Sequence, residues 1–387
     1  MNRLLREMIG LDRSSPWFKL RTVLVWLRDA GKLASVGFRV TIRRWEGPRW
    51  SVIHISQESD ESGQELRYLL FSEPSTQTEL GRAFLWQLRP RVREFANQGC
   101  LVVCDMNRLL RPQFRGVHCV RVFPWLRAFL NVSDSLDQIV GRMRRRRKRD
   151  LSKIEEKRLE YGSSRDLSDF EHFYRRMHLP YITDRYGERA IVQSYGILKR
   201  MFKRRGQLVY VGNRTRPVAA YLAVRRVFGR TLSALLLGVD GERAGSARQC
   251  DTGHVYWHVI RWAHDAGVRR IDFGRTRARL TDGVFEFKRG WGMRYEPDVM
   301  THTRWTFAGK NLPAALFHHL NELGLIAEIG RELRCVVFAV KGDGFDAKEL
   351  ARRERVSLQA GLGGLAILPG TGRLGDDALA SRPVLLE

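Results

Sequence analysis

An α+β chain with mixed sheets in two lobes is the fold the sequence predicts, on three observations. Runs that alternate apolar and polar residues are interleaved with stretches of helical spacing along most of the length. The 387 residues, 43% hydrophobic and 10% aromatic, suffice for two ordinary cores and exclude general disorder. Finally, a strand, a glycine turn, a polar loop and an aromatic, lysine-bearing element follow one another between Arg270 and Tyr295, where mixed sheets place their ligand groups.

Residues 1–35 form a basic, amphipathic N-terminal segment. A helix from Trp17 to Leu27 sets Leu20, Val23, Leu24 and Leu27 on one face with Lys19, Arg21 and Arg28 nearby, a face suited either to the protein body or to an anionic membrane surface. Residues 36–132 make the first lobe, with strands at VTIRRW, WSVIHIS, ELRYLLFS, CLVVCD and VHCVRVF. Its helix opens on a capping box of Thr76 and Glu79, carries Leu80, Phe84, Leu88 and Phe95, kinks at Pro90 and stops at Gly99. Residues 133–306 make the second lobe. Asp134 caps a long helix whose apolar positions Leu136, Ile139, Val140 and Met143 resume at Leu151 and Ile154, and Gly162 ends it. Two helices follow, around Phe170, Phe173, Tyr174 and Met177 and around Ile191, Tyr195, Leu198 and Phe202. Then come three strands, QLVYVG, PVAAYLAVRRVFG and TLSALLLG, the last two joined at Gly229 and Arg230. A polar loop leads to a helix from Thr252 to Ala266 with a stripe of Val255, Val259, Trp262, Ala263 and Ala266. Residues 307–344 hold a helix, Leu312 to Leu323, and a strand, Cys335 to Val340. Residues 345–387 turn charged and then glycine-rich without periodicity and are predicted to be a flexible tail.

The formal charge of +26 favours an anionic partner: RNA, an anionic membrane, a phosphorylated cofactor or an acidic glycan precursor. An arginine-rich proteome would raise the charge as well. Seven of the eight residues from Arg142 to Arg149 are basic, a density that repels itself unless phosphates or carboxylates neutralise it. Five scattered cysteines without a CxxC pair suggest neither a disulfide framework nor a zinc ribbon. The basic N-terminus has no signal-peptide core and no window approaches a membrane span, so a cytoplasmic protein is expected, with a peripheral place at the inner face of the membrane as the second reading. His254 and His258 stand one helical turn apart, but no third ligand is evident and no metal is expected.

Within RIDFGRTRARLTDGVFEFKRGWGMRY the polar cluster Arg275, Thr276 and Arg277 follows a strand ending at Asp272, Phe273 and Gly274. Phe285, Phe287 and Trp291 alternate with Glu286 and Lys288 and read as an edge strand. Lys288 is then either a fixed cation beside a cleft or a solvated lysine that blunts the sheet edge. The DFG is not that of a protein kinase, since no glycine-rich loop, HRD or APE accompanies it. No GxSxG hydrolase elbow occurs.

The pairing of DFGRT, Asp272 to Thr276, with DGVFEFKRGWG, Asp282 to Gly292, resembles the end of the acyltransferase domain in the FemAB/FemX-like and CelD-like branch of the GNAT superfamily. The basic helix from Arg142 is similar to the one that opens the second domain of those families. The resemblance covers Ser133 to Arg304 and implies two tandem GNAT-type lobes, the first degenerate. It implies an N-acyltransferase that moves an acyl group from acyl-CoA to an amine on a small or lipid-linked acceptor, such as an amino sugar of a cell-envelope or exopolysaccharide precursor. It gives Lys288 the role of stabilising negative charge on the acyl oxygen or leaving group.

Asp272 or Asp282 would accept the amine proton, Tyr221 or Tyr256 would return one to the leaving group, and Arg275, Thr276 and Arg277 would line the acceptor side. For the donor's phosphates the loop from Glu242 to Gly253 leads into a helix start, with Arg243, Gly245, Ala247, Arg248 and Gly253 as candidate contacts. ERAGSA departs from the superfamily's acyl-CoA loop, because Glu242 stands where a basic or amide residue is usual. The same residues also read as an exposed glycine and serine loop. Two other readings stay open. One is aminoacyl transfer from charged tRNA, bound through Arg142 to Arg149, to a peptidoglycan precursor; the other is a non-catalytic basic adaptor on a transferase fold.

Overall fold

A computed structural model describes residues 16–35, 38–47, 49–56, 61–71, 75–106, 119–156, 159–187, 192–226, 230–240, 252–298, 304–330, 332–339 and 346–369. In chain order these begin with α1 (Pro16–Ser35), β1 (Arg39–Glu46), β2 (Ser51–Ser56), α2 (Glu61–Leu70), β3 (Thr76–Phe84), α3 (Leu88–Asn97), β4 (Leu101–Met106), β5 (Cys119–Val122) and β6 (Trp125–Asn131). Next are α4 (Leu136–Gly141), α5 (Arg145–Glu156), β7 (Tyr161–Ser164), α6 (Leu167–His172), a π-helical turn (Phe173–His178), α7 (Leu179–Tyr186) and α8 (Tyr195–Arg205). The remainder is β8 (Gly206–Asn213), β9 (Arg216–Arg225), β10 (Thr231–Val239), α9 (Thr252–Asp265), β11 (Arg270–Arg277), α10 (Gly283–Gly290), β12 (Arg294–Pro297), β13 (Arg304–Ala308), α11 (Ala314–Leu323), β14 (Ile326–Ile329), β15 (Glu332–Ala339), α12 (Ala347–Gln359) and β16 (Leu365–Pro369).

The strands form two mixed sheets, as the fold class requires. One has the order β16-β15-β14-β5-β13-β4-β2-β1-β3, the other β12-β6-β11-β10-β9-β8-β7. The sheets do not divide at 132 and 306. β6 lies inside the second sheet between β12 and β11, whereas β13 returns to the first between β5 and β4. The chain therefore crosses between sheets after Val122 and again before Arg304.

Several local expectations are corrected. Glu65 to Leu70 belong to helix α2, not to a strand, because Leu66 and Leu70, one turn apart, are both fully buried while Tyr68 points out. Thr76 to Phe84 is an edge strand on β1, with Gly81 at φ 107° beside the register shift at Ile42 and Arg43. Pro90 falls in the first turn of α3, where its missing N–H costs nothing, and produces no kink inside a longer helix. Ser135, not Asp134, caps α4, in a reciprocal box with Gln138; Asp134 instead pairs with Arg142 at 2.6 Å. The long helix is two, α4 and α5, separated at Arg142–Arg144, and Gly162 sits in strand β7.

The C-terminal region through Pro369 is not a loose tail. β16 runs parallel to β15, and Val356, Ala360 and Leu362 are buried in the same core as Phe285 and Tyr295. Residues 370–387 lie outside the described residues.

Candidate functional site

β10 and β11 are parallel neighbours, yet they pair only through Thr231–Arg270, Leu232–Ile271 and Ser233–Asp272. Past that point β10 continues to Val239 on β9 and β11 continues to Arg277 on β6, each with a register shift where they part. A wedge thus opens at the carboxyl ends of two adjacent parallel strands, and α9 begins on that side of the sheet. This is the place where an open mixed sheet offers backbone groups and a helix N-terminus to a ligand.

Asp272 pins the vertex. It is fully buried, and Arg127 of β6 donates to Oδ2 at 2.8 and 3.0 Å. Arg226, just past β9, donates to the same oxygen and also to Ser233 Oγ at 2.6 Å. Asp272 Oδ1 accepts from Gly274 N–H at 2.9 Å, which shapes the turn in which Gly274 has φ 80°. Burial opposes the charged carboxylate, but Arg127 and Arg226 outweigh it and hold Asp272 below the usual carboxylate range. Such a carboxylate is a fixed counter-ion, with little tendency to take a proton from an amine.

Lys288 is buried on helix α10, not on an edge strand. Asp282 decides the helix: its Oδ1 accepts from Phe285 N–H at 2.9 Å as an N-cap, and it also accepts from Thr276 Oγ1 at 2.9 Å. The apolar alternation of Phe285 and Phe287 is overridden by that cap, and Phe285 and Lys288 share the inward face one turn apart. The ammonium donates to Phe273 O at 2.8 Å and Arg275 O at 2.7 Å, two carbonyls of β11 where it swings away from β10. Its third N–H has no partner among the described residues. Burial lowers the Lys288 pKa to about 7, with Asp272 opposing the shift.

Tyr221 and Tyr256 meet edge to face at 5.6 Å, and Tyr256 stacks on Phe273 at 4.8 Å and abuts Phe287 at 5.0 Å. Tyr256 thus joins the second turn of α9 to β11 and α10. Burial, and next the charge and hydroxyl of Tyr256, raise the Tyr221 phenol well above its usual value, so it stays protonated at neutral pH.

Other predicted residues do not converge. Arg275 pairs with Asp298 at 2.5 Å, Thr276 is buried against Asp282, and Arg277 reaches Glu65 of α2 at 3.2 Å. Strand alternation explains it, since Arg275 and Arg277 point away from the side that Thr276 takes. Gly253 is buried in the first turn of α9. Arg243, Gly245, Ala247 and Arg248 lie outside the described residues. His258 stacks on Tyr161 at 4.5 Å, and burial lowers its pKa to about 4.

The basic run splits by function. Arg147 lies over Phe287 at 4.5 Å and Trp291 at 5.8 Å, Arg144 pairs with Glu286 at 2.9 Å, and the Arg144 N–H donates to Gly290 O at 3.0 Å. These clamp α10. Arg145, Arg146 and Arg149 are exposed and have no ion-pair partner among the described residues.

Arg127, Arg226 and Asp298 escape the sequence reading. The available signal is a lone arginine in the apolar strand WLRAFLN, which demands a buried partner. A small pocket between the sheets, lined by Glu65, Phe123, Arg277 and Trp305, lies apart from the wedge.

No protein-family model matches the chain, and no curated protein matches it. Solved structures to which the chain is similar include L-PGS from Bacillus licheniformis, with 11% identity, 71% of this chain and 82% of that one covered, and a TM-score of 0.34. FemX gives 10% identity, 73% and 86% coverage and a TM-score of 0.36. A GCN5-related N-acetyltransferase from Kribbella flavida gives 11% identity, 87% and 74% coverage and a TM-score of 0.26. At such identities none of them assigns a reaction to this chain.

Proposed function

We propose that the chain is an N-acyltransferase that works in the wedge between β10 and β11, with acyl-CoA as donor and an amine as acceptor. One observation carries the reading: a buried lysine donates to two carbonyls at the parting of the strands, which leaves a third N–H that would meet an oxyanion. The amine nitrogen bonds the acyl carbon, negative charge gathers on the acyl oxygen, and the carbon–sulfur bond then breaks as nitrogen gives up a proton and the departing sulfur takes one. A preorganised ammonium in a dry site lowers that barrier far more than one in water. Tyr221 or Tyr256 gives the departing sulfur its proton and is re-protonated by the one the amine loses. The start of α9 faces the donor's phosphates. The acceptor class, an amino sugar of an envelope or exopolysaccharide precursor, rests on the resemblance of the motifs.

The test is steady-state turnover of wild type and Lys288→Met with acetyl-CoA and longer acyl-CoAs over a panel of amino-sugar acceptors. Loss of one preorganised contact should lower turnover about 10²- to 10³-fold. Because the charge-stabilising form is the ammonium, wild-type turnover should fall as pH rises through about 7. A rate that rises through that pH would instead make Lys288 a base, and near-normal turnover of folded Lys288→Met would remove the lysine from the mechanism.

A second reading is favoured by Arg145, Arg146 and Arg149, exposed and without an ion-pair partner among the described residues: an aminoacyl-tRNA donor. If tRNA binds, replacing these three with serine should flatten the salt dependence of binding, whereas acyl-CoA turnover should be unchanged.

A further inference from the structure

Helix α1 is turned inside out relative to an ordinary surface helix. Its inward side presents Arg21, 6% exposed, and Val25, 8% exposed. The Arg21 guanidinium lies over the Phe18 ring at 4.2 Å. Its outward side carries Leu20 at 40%, Val23 at 52%, Trp26 at 45% and Leu27 at 48% exposure, positions that recur at helical spacing and so share one face. Trp17, 47% exposed, extends the apolar surface at the helix start. The arrangement does not come from a shortage of inward room for apolar groups, since an arginine occupies that room.

Two properties select the occupant of this face. Lys19 stands exposed on the outward side between Val23 and Trp26, and it belongs to a chain whose lysines and arginines outnumber its carboxylates by 26. Pairing the face with a second copy would bring those like charges together, whereas an anionic surface neutralises them. The exposed apolar groups also include two tryptophans, whose rings suit the boundary between headgroups and acyl chains. With its twenty residues the helix is about 30 Å long. Among the described residues no helix is long and apolar enough to cross a membrane. A basic helix with one apolar face lies in the interface plane instead.

We propose that the outward face of α1 docks the protein on an anionic bilayer surface, with Leu20, Val23, Trp26 and Leu27 inserted at the headgroup boundary. This stands apart from the transferase reading, because none of these residues belongs to the wedge.

The experiment is flotation of the full chain with vesicles of mixed phosphatidylglycerol and phosphatidylcholine, against vesicles of phosphatidylcholine alone. The variants are Leu20→Gln/Val23→Gln/Leu27→Gln and, separately, Trp26→Gln, each checked by circular dichroism and by size-exclusion chromatography. Wild type should partition onto the anionic vesicles and bind neutral ones several-fold less. The triple variant should lose at least about 30-fold in partition, as expected when three apolar side chains no longer leave water, and Trp26→Gln should lose several-fold by itself. Equal binding of the folded variants, or no binding of wild type to anionic vesicles, overturns the proposal. So does a wild-type dimer that the triple variant dissociates, which would assign the face to a second copy.

Discussion

Asp272 and Lys288 show how two charged side chains come to be buried within one strand turn. Arg127 and Arg226 compensate the carboxylate, whereas the ammonium relies chiefly on two backbone carbonyls. Their failures should differ. Asp272→Asn removes the carboxylate that two buried guanidiniums share, Arg127 keeping the more distant Asp298 at 3.9 Å, and should cost about 3–5 kcal/mol in urea unfolding at neutral pH. An unchanged midpoint would show that solvent reaches the vertex. Lys288 has the opposite pH signature to a paired carboxylate. Its folded pKa, about 7, lies below the unfolded lysine value, so between about pH 7 and 10 the unfolded chain binds the extra proton. The penalty for burying the charge is complete below pH 7 and is relieved as pH rises through that window. Wild-type stability should therefore rise relative to Lys288→Met from pH 7 to 10, by up to a few kcal/mol. Parallel pH curves for the two proteins would show that the lysine is solvated.

Helix α10 translates these residues into a positioned site. Asp282 starts it, Arg147 of α5 and Arg144 just before α5 clamp it, and Arg289, itself buried, pairs with Glu286 one turn back and reaches Gln359 of α12 at 2.9 Å. Asp282→Ala removes both the cap and the acceptor for Thr276. It should cost about 1–2 kcal/mol and depress turnover beyond the stability loss, because Lys288 hangs on the second turn. A fall in thermal midpoint with turnover retained would separate the cap from the chemistry. The sequence displays the address of this site and conceals its geometry. DFG and the lysine three residues past Phe285 are visible as a strand end and an aromatic element, but period-two spacing over four residues cannot tell a strand from one helical turn. The decisive information was the side chain of Asp282, whose oxygen closes on Phe285 N–H only once the turn exists. α2 and β3 were exchanged for a similar reason. Leu66 and Leu70 fit a strand or a helix, and the threonine–glutamate box at Thr76 competed with the Gly81 bulge on an edge strand.

At the scale of the molecule, linear boundaries were legible only where consecutive elements stay in one sheet. β8, β9, β10 and β11 appear in sequence and in space in the same order, and the sequence locates all four together with α9, which joins the last two. β6 and β13 exchange sheets, and nothing in their composition records it, because a buried strand is apolar whichever neighbour it finds. The C-terminal region is the consequential case. Its charged and glycine-rich composition reads as loose chain, yet Val356, Ala360 and Leu362 complete the core that backs α10, and Tyr295 N–H donates to Ala360 O at 3.2 Å. Truncation before Asp346 removes α12 and β16 together. It should expose the face of β15, strip Arg289 of Gln359 and open the buried cluster around Phe285 and Tyr295. We expect a loss of several kcal/mol, from several buried aliphatic side chains at about 1.5–3 kcal/mol each. Hydrogen exchange separates the outcomes. Deprotection concentrated in β15 and α10, with β8 and β9 still protected, would place the C-terminal region as the support of the lysine-bearing helix. Unchanged protection of α10 would mean that Asp282 and the arginine clamp suffice to hold Lys288 at the parting of the strands.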